Sequence, residues 1–360
     1  PALIALLKDP SPGVVQAAAE ALEGLRDQLR AADPRLAGEI SRALNEALKK
    51  TRPGTGAALR EQLVAAMVAW ASPEPDIRNT FVGLLRPNEP PNIRRLAVGY
   101  FGQMGSDKTW PADNIINSGS LEDRDPGVRR AAVEALGKVA QAENAEKLFG
   151  RLKPGELGPD TEPEARIRDE AWKALAAMFP REFQIEQLNR WADRFPDDPE
   201  RRLTILEALR TRLLEKGNDA DLAVVRQNIG EAYARLGQYG KAATEFDGLL
   251  KSPSRQGQSK EFLARQLLDA YLKGKTYDDA TRFAAQMIGE NPSYQTTLGP
   301  DITNEAERLH REGDAESALR LVTLALKMEP NLAPSFAERL RRIERDAASK
   351  VAPPPTSPAN

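Results

Sequence analysis

Small apolar residues recur at helical spacing along the first half of the chain. Residues 9–25 and 123–139 read DPSPGVVQAAAEALEGL and DRDPGVRRAAVEALGKV, and nine of the seventeen aligned positions are identical. In both segments, alanine and leucine stand three and four residues apart, which places them on one face of a helix. Self-similarity of this kind indicates helical units that bury a core only against their neighbours. The pattern predicts an all-α repeat array.

The helix starts of this first array follow from apolar anchor residues. Gaps of 79, 35 and 39 residues separate the anchors, which are Val14, Ile93, Val128 and Ile167. Because the first gap fits two units, we expect a weaker unit inside it, with helices over 56–70 and 76–85. Small residues such as Ala132 and Ala135 predict close approach of neighbouring helices. Trp110 follows a loop, so we expect it to be exposed.

A second periodicity occupies the other half of the chain. Tyr233, Tyr239 and Ala242 are followed 38 residues later by Tyr271, Tyr277 and Ala280. We divide the chain into an array over 1–195, a connecting helix over 196–217, three units with a capping helix over 218–348, and a disordered proline-rich tail over 349–360. Residues 1–8 have the spacing of a second helix, so we expect the array to begin inside a repeat.

Both arrays resemble known repeat families. The first resembles bacterial HEAT-like repeats, whose first helix begins D-x-x-P-x-V-R and continues A-A-x-A-L-G. This motif is carried by Asp123, Pro126, Val128, Arg129, Ala131, Ala132, Ala135, Leu136 and Gly137. The second resembles tetratricopeptide repeats, in which glycine and alanine lie where two helices touch. Together the resemblances imply a two-part α-solenoid, a HEAT-like superhelix followed by a tetratricopeptide superhelix.

Charge and composition narrow the classes of function. Lys plus Arg number 51 and Asp plus Glu 53, and neither half of the chain, divided at Pro180, has an excess of either sign. Nucleic-acid partners need clustered cations, so we predict none. Cysteine is absent and His310 is the only histidine, which removes the usual parts of thiolate and imidazole sites. We therefore predict no enzyme activity and no catalytic, metal or cofactor residue.

The resemblance to tetratricopeptide repeats implies a partner-binding face on the first helix of each unit. The residues placed there are Val224, Gln227, Glu231 and Arg235 in the first unit, Phe262, Arg265, Asp269 and Lys273 in the second, and Thr303, Glu307 and Arg311 in the third. Mixed charge with one aromatic side chain suits an extended or helical peptide. The family's clamp for chaperone tails uses Lys and Asn, whereas Gln227, Glu231 and Gln266 stand at those positions, so we do not predict that activity.

These features favour a non-catalytic scaffold for protein–protein interaction, of the kind found as a subunit of a larger bacterial assembly. The HEAT resemblance leaves one enzyme-class alternative, a subunit similar to bilin lyases, which would need a hydrophobic cleft with converging charges. A HEAT-like DNA-repair glycosylase would need a basic face, which the balanced charge disfavours. No apolar run approaches the roughly 20 residues that span a bilayer, so we predict no transmembrane segment. The composition leaves the cytoplasm and the periplasm equally open as compartments.

Overall fold

The protein is all-α, with helices that pack in repeating order. The structure, a computed structural model, describes residues 2–33, 35–51, 56–252, 259–328 and 332–351. Throughout these ranges the regular elements are helices, and no strand is present. The chain divides into two compact units, residues 1–183 and 184–360. This division falls after residue 183, whereas the sequence-based domain boundary was placed after residue 195.

The first unit is a row of helical pairs. Its helices are α1 (Ala2–Leu6), α2 (Pro12–Gly24), α3 (Arg26–Ala32), α4 (Leu36–Lys50), α5 (Ala57–Trp70), α6 (Pro75–Leu84), α7 (Pro91–Phe101), α8 (Trp110–Asn117), α9 (Pro126–Val139), α10 (Ala145–Gly150) and α11 (Ala165–Glu182). Helices α2, α5, α7, α9 and α11 form the main row, in which each packs against the next. Helices α5 and α6 confirm the two helices predicted over 56–70 and 76–85.

Small residues set the distance between neighbouring helices of this row. A Cβ atom on Gly137 of α9 would lie 2.8 Å from the Cβ of Ala174 on α11. Similarly, a Cβ on Gly102, at the end of α7, would lie 3.0 Å from the Cβ of Ala135 on α9. A real side chain tolerates neither distance without a backbone shift. The prediction that small residues permit close helix approach is confirmed.

Buried ion pairs join consecutive helices of the row. Their N···O distances are 2.6, 2.7 and 3.0 Å in the pairs Arg60–Glu89, Arg94–Asp123 and Arg129–Glu162. Each of these three ladder arginines lies in the first turn of its helix, and each acid precedes the next helix of the row. A further guanidinium nitrogen donates to the chain just before the arginine's own helix, as Arg129 Nη1 does to the carbonyl of Asp123 at 3.0 Å. In α2 the equivalent position is taken by Val15, which has no charge, so the series of ladder arginines begins with Arg60 of α5.

One prediction about this unit is wrong. Trp110 is half-buried rather than exposed, because it is the first residue of α8 and its ring packs edge-on against Phe101 of α7. The two ring centroids are 6.0 Å apart. The guanidinium of Arg78 lies 5.1 Å from the Trp110 ring centroid and covers part of the remaining surface.

The second unit consists of three helical hairpins, with two helices before them and one after. Its helices are α12 (Ile185–Ala192), α13 (Pro199–Lys216), α14 (Asp219–Arg235), α15 (Tyr239–Lys251), α16 (Lys260–Lys273), α17 (Tyr277–Glu290), α18 (Gln295–Arg311), α19 (Ala315–Leu326) and α20 (Pro334–Val351). Helix α20 packs against α18 and α19. It extends through residues 349–351, which the sequence interpretation assigned to the tail. Residues 352–360 of that tail lie outside the described residues.

Close packing and shared ion pairs connect the first hairpin of this unit to its neighbour. A Cβ atom on Gly230 of α14 would lie 2.7 Å from Cε1 of Phe246 on α15, so the ring packs directly on the helix backbone. Glu245 of α15 accepts from Arg210 of α13 at 3.0 Å and from Arg226 of α14 at 2.9 Å. One carboxylate therefore ties three helices together.

Candidate peptide-binding groove

A groove runs between α16 and α18, the first helices of the second and third hairpins. Its volume is about 490 Å³. The residues that line it are Phe262, Arg265, Gln266, Asp269, Leu272, Asp301, Asn304, Glu305, Arg308 and Arg311. Four of the residues predicted to bind a partner meet here, namely Phe262, Arg265, Asp269 and Arg311. This groove is the candidate functional site.

Two ion pairs fix the register of the groove walls. Arg265 of α16 donates from Nε and Nη2 to the carboxylate of Asp301 on α18, at 2.9 and 3.1 Å. Lys275, just after α16, reaches Asp314, just after α18, at 2.9 Å. Because both pairs have similar sequence offsets, the two helices run in the same direction. Phe262 in the first turn of α16 and Arg311 in the last turn of α18 therefore lie at opposite ends of the groove.

The end of the groove at the start of α16 is apolar. Phe262 is 42% exposed, although most large apolar residues of this unit are buried. Its backbone N–H donates to the Oγ of Ser259, the N-cap of α16, at 3.3 Å, which holds the first turn in place. An exposed aromatic ring on a rigid helix provides apolar area that a partner can cover at low entropic cost.

Ion pairs occupy the middle of the groove. Lys273 Nζ lies 2.8 Å from Asp269, and Arg308 lies 2.6 Å from Glu305. The hydrogen bond from Arg265 to Asp301 raises the pKa of Arg265 above its ordinary value. In the same way, the hydrogen bond to Asp269 raises the pKa of Lys273. Each of these groups therefore stays charged at neutral pH.

The other predicted site residues lie elsewhere. On α14, Gln227 donates to Glu231 at 2.9 Å and Arg235 donates to the carbonyl of Pro196 at 2.7 Å. None of the three lines the groove. Lys273 lies beside it and holds Asp269, while Glu307 accepts from Arg339 of α20 at 2.7 Å. The structure thus brings together four of the predicted residues and leaves the others outside this groove.

The third hairpin shows where residue assignment from sequence failed. Thr303 was placed on the binding face, but it is buried and donates its hydroxyl to the carbonyl of Gly299 at 2.9 Å. The groove face of α18 carries Asn304 and Arg308 instead. These two residues stand four apart, so the helical repeat could have identified them once the start of α18 at Gln295 was known.

Sequence reasoning also missed a second groove between α15 and α17, because only first helices were considered as binding surfaces. Two adjoining cavities of about 360 and 410 Å³ share Asp247, Tyr271 and Asp279. The rings of Tyr271 and Phe283 pack edge to face, with centroids 6.2 Å apart. Burial raises the pKa of Tyr271 above its ordinary value. The acids here are engaged as well, Asp247 by Lys251 at 2.7 Å and Asp279 by an arginine of α17.

Two other kinds of site are absent from the described ranges. No helix in them combines the length and the apolar character needed to cross a lipid bilayer. In the same part of the chain, no group of three or more histidine, aspartate or glutamate side chains is arranged to hold a metal ion.

Comparison with known proteins adds little to this description. No protein-family model matches the chain, and no curated protein matches it. Among solved structures, it is similar to a circular tandem repeat protein with novel repeat topology and enhanced subunit contact surfaces. The identity is 14%, the match covers 94% of this chain and 77% of that chain, and the TM-score is 0.17. A TM-score this low carries no argument, so the all-α repeat architecture rests on the helix packing described above.

Proposed function

We propose that the protein is a non-catalytic scaffold for protein–protein interaction, a subunit of a larger bacterial assembly, and that it binds a peptide or partner helix in the α16–α18 groove. The observation that carries this proposal is the convergence of Phe262, Arg265, Asp269 and Arg311 along one groove. The resemblance of the two arrays to HEAT and tetratricopeptide repeats supports it, because both repeat types present rows of rigid helices to protein partners.

The groove suits a single segment of chain better than a broad surface. Its walls are helices, so the contact residues are held in place before binding and little conformational entropy is lost. Phe262 is 42% exposed, which amounts to at most roughly 80 Å² of apolar area. At about 25 cal/mol per Å², covering that area contributes about 2 kcal/mol, or roughly thirty-fold in affinity. The remaining groups supply orientation through polar contacts.

Selection from a random peptide library tests the proposal. The full chain is used to select from displayed 18-residue peptides, and the affinities of synthetic binders are measured by fluorescence anisotropy. We expect Phe262→Ala to weaken binding by roughly thirty-fold, as worked out from the area that it exposes. Leu214→Ala is the matched control, since Leu214 is 61% exposed on α13 and does not line the groove. Binders that do not distinguish Phe262→Ala from Leu214→Ala contradict the proposal, as does a selection that yields no binder.

A further inference from the structure

The charges that line the α16–α18 groove are almost fully matched by one another. All three lining acids have a basic partner: Asp301 has Arg265, Asp269 has Lys273, and Glu305 has Arg308. Arg308 also forms an ion pair with Glu312. An incoming basic side chain would therefore have to displace an existing partner, which makes a cationic ligand a poor match.

Arg311 is the exception among the charged groups of the groove. It is exposed in the last turn of α18, and within the described ranges no acid lies within ion-pair distance of it. The favourable position of a cation at a helix C-terminus explains why it can stand there without a carboxylate partner. It is the lining cation that can pair with a ligand at no cost to an existing ion pair.

The distance between this cation and the apolar end follows from the helix register. The Arg265–Asp301 pair marks one level of the groove. Phe262 lies about one turn before that level on α16, and Arg311 lies about three turns beyond it on α18. At 5.4 Å per turn, the two Cα positions are separated by about 20 Å along the groove. This span corresponds to about six residues of an extended peptide or about thirteen residues of a helix.

We infer that the partner segment carries an apolar side chain that packs on Phe262 and, about 20 Å away, an acidic side chain that pairs with Arg311. This inference rests on the proposed function, since it names the partner chemistry of the same groove. The apolar contact provides most of the affinity. The acid fixes the direction in which the segment lies, because a reversed peptide would place its carboxylate beside Phe262 and leave Arg311 uncovered.

Charge reversal at one residue tests this inference. The 18-residue library is selected in parallel against the wild-type chain, Arg311→Glu and Arg190→Glu. Arg190 is the matched control, because it too is an exposed arginine in the last turn of a helix, α12, and lies outside the groove. We expect the wild-type and Arg190→Glu pools to be enriched in Asp or Glu at the stated spacing from an apolar residue. The Arg311→Glu pool should instead be enriched in Lys or Arg at that spacing.

Defined peptides make the result quantitative. A selected peptide and its Glu→Gln variant should differ by about 1.4- to five-fold in Kd on the wild-type chain, the range of an exposed ion pair. This ratio should fall towards one on Arg311→Gln and at 0.5 M NaCl, where screening is strong. Circular dichroism confirms that each variant is folded.

The two possible failures are distinguishable. Peptides that require Phe262 but show no acidic preference, and that bind Arg311→Glu as well as wild type, overturn the inference and leave the proposed function standing. If no selected peptide depends on Phe262, the proposed function itself fails.

Discussion

The buried pair Arg129–Glu162 allows one stability prediction to be worked out in detail. The Arg129 Nε and Nη2 atoms each donate to the Glu162 carboxylate at 3.0 Å, and the two side chains are 4% and 0% exposed. Arg129→Met removes the cation and leaves the carboxylate buried without its ion pair. Loss of one partner from such a pair costs about 3–5 kcal/mol. Because the N–H of Glu164 still donates to Glu162 at 3.1 Å, we expect a value of about 3 kcal/mol.

Two further variants separate the cost of an unpaired charge from the loss of a contact. In the double variant Arg129→Met with Glu162→Met, neither member of this pair is left as an unpaired buried charge, so most of the lost stability should return. The carbonyl of Asp123 still loses its hydrogen bond from Arg129, which costs about 1 kcal/mol. Arg130→Met is the matched surface control. Its partner, Glu134, is exposed four residues along the same helix, so we expect at most about 0.5 kcal/mol.

Urea unfolding followed by tryptophan fluorescence measures these effects. All variants are made in a Trp191→Phe background, so that the three remaining tryptophans, all in the first unit, report on that unit alone. A midpoint shift for Arg129→Met no larger than that for Arg130→Met would rule out a costly unpaired carboxylate at Glu162. A double variant no more stable than Arg129→Met would rule it out as well.

Two further predictions concern the second unit. Gly230→Ala should destabilise the fold by about 1–2 kcal/mol, because its Cβ would lie 2.7 Å from the Phe246 ring. Gly289→Ala, where a Cβ meets open space, should stabilise the fold by up to about 1 kcal/mol. Melting temperatures that shift in the same direction in both variants contradict this prediction. The pKa of Asp314 should lie below its ordinary value, chiefly because Lys275 donates to its carboxylate. Its contribution to stability is then present above the ordinary pKa and lost as the pH falls through the depressed one. Carboxyl NMR titration should show the pKa rising in Lys275→Met, and an unchanged value would argue against the pair.

Helices and close contacts could be predicted from sequence because they depend on local spacing. The repeated alanines and glycines of the first array placed residues such as Ala135 at helix contacts, and the structure puts Gly102 against it. Partners across units could not be predicted in the same way. The motif identified Arg129, but Glu162 lies beyond a loop whose length differs between units, so no fixed spacing points to it.

Only part of the candidate groove could be predicted from the sequence. Phe262 and Arg265 were placed on the correct face because α16 begins close to where the period of 38 residues predicts. The third unit departed from that register, since α18 begins at Gln295, 35 rather than 38 residues after the start of α16 at Lys260, and buries Thr303. Glu307 illustrates a second limit, because its contact with Arg339 depends on how α20 packs. Long-range packing of that kind is not encoded in the spacing of residues along one helix.

The ladder arginines also determine how the number of helical units in such a chain can change. Each of these ion pairs takes its arginine from one helical pair and its carboxylate from the turn before the next helix of the row. Both partners of an ion pair are therefore present at each boundary between units. Excision of residues 91–125 would remove Arg94 and Asp123 together and leave the Arg60–Glu89 and Arg129–Glu162 pairs in place, and duplication of the same stretch would add a second complete Arg94–Asp123 pair. Gain or loss of whole modules by gene duplication would therefore leave no orphaned charge in the interior, and the length of the row can vary without redesign of its core.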